Sequence, residues 1–474
     1  MRKVSLMRLS RLVALFATFI FYQPANAQDN ILTWEEYYQQ ILAYHPVVVN
    51  ANINLDLAGQ ELRFARGFFD PMLIGDYKQK QFTEKDYYRL LTTKVSVPLW
   101  IGELEAGYYQ NEGEFLNPEN LLPRNGQSFV GVSIPLAQGL LIDERRSTLR
   151  QARYLTDIAE AERLSMINKL LLSATKDYWN WYFAYQRYRF VQEAYRLAEI
   201  RYEAVKLSVI TGDQAPIDSV EAKISLQNRD IELQQSAIEL KNARLIASNH
   251  LWGEGETPLE ILETTLPDDF DLARWSANLP QAEALVAQAE EQHPDLRKII
   301  FKNRQLDVER SLQVNKLAPK INLQYHLLSE PQAVSGDQYG WSTQNYMLGL
   351  KVAFPLFLRQ ERGKLQLVRL KQVQLEQENL QTRREIINTV LAQYNLLNNI
   401  AELIGLQESM VNNYQQLLRG EQLRFENGES SIFLINVRET QLLDSQVKLV
   451  KLHSDYGKAR AELNQAVGLV DWDY

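Results

Sequence analysis

The sequence predicts an α+β membrane protein in which duplicated long α-helical hairpins continue a set of antiparallel transmembrane β-strands. Three observations in the 474 residues lead there: an internal duplication, blocks of two-residue alternation, and long stretches without proline. The duplication decides the organisation. His45-Pro46, Pro71 and Tyr77 return as His293-Pro294, Pro319 and Tyr325, each 248 positions on. Ile134-Pro135-Leu136 returns as Phe354-Pro355-Leu356 after 220 positions. Gly212-Asp213 and Ala243-Arg244 return as Gly428-Glu429 and Ala459-Arg460 after 216. With Pro46, Pro135, Pro294 and Pro355 as landmarks, the chain reads as two copies of one unit, about 28–253 and 287–468. A connector rich in Pro, Glu and Asp joins them at 254–286, and a tail follows at 469–474.

Residues 1–27 read as a secretory signal peptide: basic Arg2, Lys3, Arg8 and Arg11, an apolar run from Leu12 to Tyr22, then Ala25-Asn26-Ala27 before Gln28. Eleven apolar residues, at about 1.5 Å each, cover roughly half of a ~30 Å hydrocarbon core, which argues against a spanning anchor. No later segment approaches the run of about 20 apolar residues a spanning helix needs, so membrane contact falls to strands.

Strands are expected at about 71–136 and 319–356. In the second copy Ile321, Leu323, Tyr325 and Leu327 alternate with Lys320, Asn322, Gln324 and His326, and Leu348, Leu350 and Val352 continue the pattern. The first copy repeats it through Leu73 and Tyr77, Leu91 and Val95, Leu104 and Tyr108, and Val130, Val132 and Ile134. Pro71 to Pro135 spans 64 residues against 36 from Pro319 to Pro355, so the first copy holds 28 extra residues, enough for one more hairpin. One such hairpin alone fits a soluble sheet with a solvated face as well as a barrel with lipid outside and water inside. Export, duplication and the aromatics Tyr87, Tyr88, Trp100, Tyr108, Tyr109 and Trp341 near strand ends favour the barrel.

Each block of strands leads into a proline-free stretch, 136–215 and 356–474. Ile387, Val390, Tyr394, Leu397, Ala401 and Ile404 alternate three and four apart, the spacing of a coiled-coil seam. A helix from about 137 to 210 would be roughly 110 Å long. Gly212 and Gly428 then break the pattern and a second helix returns, giving helical hairpins at about 137–253 and 357–467. Pro135 to Gly212 is four residues longer than Pro355 to Gly428, which predicts one extra helical turn in the first copy. Helices that leave every strand at the same end must continue the barrel wall, so the expected product is a tube. A non-conducting coiled coil that braces the cell envelope is the alternative.

Composition removes most chemistry. The absence of cysteine excludes disulfides, thiolate metal sites, cysteine nucleophiles and a cysteine lipid anchor. The net charge of −8 falls to −12 without the four basic residues of 1–27, so a nucleic-acid partner is not expected. No phosphate-binding Gly-rich loop and no His-Glu-x-x-His occurs, and neither enzyme activity, cofactor nor metal is expected. His45 and His293 read as helix starts, and Asp143-Glu144 beside Arg145-Arg146 as a helix-dipole cluster.

These residues resemble the TolC-like outer-membrane efflux protein family. The resemblance rests on the signal peptide, the duplicated halves, the His-Pro pairs, the strand ends GVSIPL and KVAFPL, and the tip segments TGDQAPIDSVEAKISL and NGESSIFLINVRETQL. It implies a homotrimer in the outer membrane of a Gram-negative bacterium, with a shared β-barrel in the lipid and a twelve-helix tube in the periplasm. It also implies a tip that docks on a periplasmic adaptor and an inner-membrane pump or ABC-type secretion transporter, the chain serving as passive exit duct. Gly212, Asp213, Gln214, Gly428, Glu429, Ser430 and Ser431 would be the docking residues. Members with a carboxylate gate have acids six and nine residues after each tip glycine. Asp218 and Glu221 stand there in the first copy, Leu434 and Val437 in the second, so the gate would pair a cation filter with an apolar constriction. The competing reading of Asp218 and Glu221 is a solvated first helical turn.

Overall fold

The structure, a computed structural model, describes residues 30–276, 279–330 and 341–469. The expected signal peptide and residues 470–474 of the expected tail lie outside the described residues. The first copy runs β1 (Asn30–Leu32), α1 (Trp34–Tyr44), α2 (Pro46–Gly67), β2 (Met72–Phe82), β3 (Lys85–Pro98), β4 (Glu103–Glu112), β5 (Gln127–Pro135), α3 (Glu144–Thr211) and α4 (Pro216–Ser248). A middle segment holds β6 (Trp252–Gly253), β7 (Thr257–Pro258), β8 (Thr265–Pro267) and α5 (Leu272–Ser276). The second copy runs α6 (Ala282–Gln292), α7 (Pro294–Asn315), β9 (Lys320–Ser329), β10 (Tyr346–Ala353), α8 (Arg359–Glu426) and α9 (Ile432–Val467).

Local chemistry explains the repeated starts. His45 Nδ1 accepts the Val47 N–H at 3.1 Å to cap α2, with Pro46 in the first turn. His293 Nδ1 accepts the Asp295 N–H at the same 3.1 Å to cap α7. Helix α6 begins at Ala282, earlier than the expected 287, and the connector expected at 254–286 is structured, with β8 pairing in parallel with β1.

Six strands form one sheet in the order β10-β9-β5-β4-β3-β2, every pair antiparallel. The additional hairpin of the first copy is part of this wall: β3 and β4 are in register from Arg89↔Glu112 to Pro98↔Glu103. The sheet curls into a half-barrel, and the buried polar residues of its middle strands share one face. Met72, Ser96, Glu105, Gly131, His326 and Met347 lie across one row of that face, with Ser96, Glu105 and His326 buried. On the opposite face Leu73, Tyr77, Val130, Leu348 and Leu350 are exposed, Leu73 by 75% and Leu350 by 63%. A soluble sheet does the reverse, so this arrangement answers the two readings left open for a single hairpin in favour of lipid outside.

Both long helices, α3 and α8, contain 68 residues, about 100 Å each. The extra turn expected in the first copy is therefore absent, and the added residues lie in the passage from strand to helix. There Gly139 takes φ +93°, and the Arg146 guanidinium gathers the carbonyls of Gly139, Leu140 and Leu141. Asp143 then caps α3 by accepting the Arg146 N–H at 2.8 Å. A helix begun at 137 would have to give up those bonds. Halfway along the helices the copies are welded by a buried aromatic core of Trp34, Tyr37, Tyr178, Trp179, Trp181, Trp275 and Tyr456. The Tyr178 hydroxyl donates to the Leu32 carbonyl at 2.9 Å and accepts the Asp268 N–H at 3.1 Å. None of the helices among the described residues is long and apolar enough to cross a membrane.

Candidate functional site

The end of the helices farthest from the sheet gathers the residues singled out at the two glycines. Gly212 closes α3 with φ +83°, and Gly428 follows α8 with φ +78°, a left-handed conformation that glycine adopts without a Cβ penalty. No atom lies near either glycine's missing Cβ, so backbone conformation alone favours glycine there. Asp213 accepts from the Thr211 hydroxyl at 2.7 Å, and the Asp213 and Gln214 N–H groups close on the Ser208 carbonyl. The Glu429 N–H closes on the Arg424 carbonyl at 2.8 Å, and Ser431 caps α9 by accepting the Leu434 N–H.

The four gate candidates divide. Asp218 accepts the Ala215 N–H at 3.2 Å and so ties down the start of α4. Leu434 occupies the corresponding first turn of α9. Glu221 and Val437 instead line one groove of about 590 Å³ between α4 and α9, with Ile224, Asn228, Phe433 and Thr440. The structure therefore brings an acid of the first copy beside an apolar residue of the second. Beneath them Val205, Ala222 and Ile432 form a small buried plug, backed by Tyr202, Val209 and Phe425.

Two arginines that sequence reasoning did not single out cross between the copies here. Arg201 of α3 binds Asn436 Oδ1 at 2.8 Å and pairs with Glu439, both on α9, and each charged side chain is only 17% exposed. Arg229 of α4 donates to Thr440 Oγ1 at 2.6 Å and to Glu232 at 2.7 Å. A buried carboxylate, Glu421 of α8, accepts from the Ser430 hydroxyl at 2.5 Å and lies 3.8 Å from Arg438 Nε, joining α8 to α9. The signal for these residues is long-range: Arg201 and Glu439 are 238 positions apart, and Arg201 lies outside both tip segments although Glu439 falls within the second. Ser430, a docking residue by the family resemblance, thus has a structural partner in Glu421 as well.

The other end supplies the wall. On the inner face Lys94 Nζ lies 2.7 Å from Glu105, whose second oxygen is 3.0 Å from His326 Nε2. Phe129 stacks on the His326 ring at 4.9 Å. Gly107 and Gly131 leave the room: a Cβ on Gly107 would meet Phe129 at 2.6 Å, and one on Gly131 would meet His326 at 2.4 Å. The Lys94–Glu105 pair, with His326 beside it, places charged and polar groups at the buried middle of this face.

Comparison with known proteins agrees with this geometry. Residues 285–469 match the model of the outer membrane efflux protein family. The fold is similar to the outer-membrane channel MtrE of Neisseria gonorrhoeae in its open state (TM-score 0.66, 14% identity, covering 92% of this chain and 88% of that one). It is also similar to the Campylobacter jejuni CmeC outer membrane channel (0.64, 13%, 92% and 85%). The outer membrane protein VceC of Vibrio cholerae gives 0.63 at 16% identity, covering 92% and 95%. A search of curated proteins returns no match. Residues 285–469 thus carry the outer membrane efflux protein domain, and the chain has the fold of outer-membrane efflux channels.

Proposed function

We propose that the chain is the passive exit duct of a tripartite efflux or type I secretion system, working as a homotrimer that docks by its helical tip on a periplasmic adaptor and an inner-membrane transporter. One observation carries this reading: a sheet with its polar, ion-paired face inside and its apolar face exposed, continuous with helices of about 100 Å. Such a molecule is a wall with water on one side. The wall of a single chain is open, and its two flanks complement each other. On α4, Ile217, Ile224, Ile231, Ile238 and Leu245 recur every seven residues, 45–68% exposed. On α8, Leu396, Leu403, Met410 and Leu417 do the same, 40–45% exposed. Helices α3 and α9 lie between these two. Apolar seven-residue stripes on opposite flanks suit head-to-tail association that closes a ring. Energy for transport would come from the partner.

In this reading Glu221 and Val437 flank the narrow end of the duct and Asp218 holds the turn above it, while Asp213, Gln214, Glu429 and Ser431 face the adaptor. The trimer purified from outer membranes should conduct ions in planar bilayers. A folded trimer that stays silent would support the structural brace instead.

A further inference from the structure

We propose that the barrel built by this chain has eighteen strands, closed by pairing β10 of one copy with β2 of the next. This rests on the trimeric reading above. Each chain supplies six strands, all hydrogen-bonded in one sheet with β10 and β2 at its edges. An even number of antiparallel strands makes the two edges run in opposite directions, so three copies joined head to tail give one continuous antiparallel barrel. The edge strands are long, 11 residues in β2 and 8 in β10, and carry exposed apolar side chains on the outward face. Unpaired edges of that kind are not tolerated in lipid.

The additional strand pair is built into this wall and does not lie outside it. Its polar and apolar faces continue those of the other strands, and Lys94 of β3 pairs with Glu105 of β4 on the inner side. At the helical end, the turn between β3 and β4 is fastened to the base of α3. Arg145 reaches Glu103 at 3.1 Å, and Trp100 stacks on Phe69 and lies 5.9 Å from the Arg146 and Arg150 guanidinium groups.

The perimeters also agree. Strands about 4.8 Å apart and tilted about 40° each occupy roughly 6.3 Å of circumference, so eighteen give about 113 Å and twelve about 75 Å. In each chain four helices, α2, α3, α7 and α8, adjoin the strands. Twelve helices packed about 8–10 Å apart have a perimeter of roughly 96–120 Å. Eighteen strands therefore continue the helical ring at nearly constant width, about 36 Å between backbones, whereas twelve would narrow it by a third. The membrane stage is thus wide, and size selection falls to the tip.

The natural absence of cysteine makes the seam testable by disulfide trapping. Leu350→Cys on β10 is combined in turn with Leu73→Cys, Gly75→Cys or Tyr77→Cys on the outward face of β2, and separately with Ala106→Cys on β4. Oxidised outer membranes should yield a covalent trimer, collapsing to monomer on reduction, from at least one β2 pair and none from the β4 pair. A covalent trimer from the β4 pair overturns the proposal, because the barrel then closes on four strands per chain. A heat-modifiable trimer without any β2 crosslink overturns it too. Loss of every trimeric species would instead strike the trimeric reading itself.

Discussion

Replacing Arg201 with alanine should open the tip. Arg201 holds Glu439 and Asn436 across the two copies, with both charged groups largely withdrawn from water. A charge-assisted hydrogen bond to a partly buried ion contributes about 1.5–3 kcal/mol, and the Glu439 carboxylate would be left without its partner. If the pair exists only in the closed arrangement, the equilibrium moves toward open by that difference, roughly 10- to 150-fold per chain. Arg201→Ala and Glu439→Gln should each raise mean conductance and open probability in planar bilayers, and the double variant should add little to either alone. Arg196→Ala, which removes an exposed pair with Glu193 three residues away on the same helix, serves as control and should change nothing. Conductance unchanged in Arg201→Ala, or fully additive effects in the double variant, would refute the idea that this pair latches the tip.

Further outcomes concern selectivity and pH. Glu221→Gln should lower cation preference and weaken block by multivalent cations, and Val437→Asp should strengthen both, since the two side chains line one groove. Asp218→Asn should change selectivity less than Glu221→Gln, because the Asp218 side chain already serves the Ala215 N–H; reversal potentials in a salt gradient decide. Acidification should loosen the middle of the molecule. Burial, with the neighbouring His250, pushes His45 down to about 4, and burial alone does the same for His453. Both are neutral when folded, whereas the unfolded chain takes up protons below about 6.5. Their contribution is complete above pH 6.5 and is lost as pH falls toward 4, by at most about 1.4 kcal/mol per pH unit for each histidine. The thermal midpoint followed by near-ultraviolet circular dichroism should fall across that window. His45→Asn, which retains a capping oxygen, should flatten the fall; an unaltered slope in that variant would contradict the assignment.

What the sequence made legible follows from which interactions leave a period. Alternation of two comes from local geometry and the offset of 248 between the His-Pro pairs from the repeat itself, so strands, helix starts and duplication could be read directly. The tip glycines were readable for a similar reason, since a left-handed residue leaves a residue-type signal. The four-residue difference between the copies was misread because a helical turn and a short loop have the same length. Only the Arg146 guanidinium, gathering three carbonyls ahead of α3, shows which of the two it is.

The contacts that give the tip its working geometry lie outside any such period. Arg201 meets Glu439 because α3 and α9 cross near the tip, and no spacing within either copy encodes that meeting. Duplication explains why it occurs where the copies differ. Two identical hairpins placed side by side would present acid against acid at Glu221 and its counterpart, with like charges facing across a groove. In this chain the counterpart is Val437, and charge bridges the copies at Arg201 and Arg229, which bind Glu439, Asn436 and Thr440 one to three residues away along α9. The tip thus carries an attraction between the copies where two identical hairpins would carry a repulsion. In the function proposed above, the duct is held shut by pairing within each chain, and a docking adaptor would have to compete with those bonds to open it.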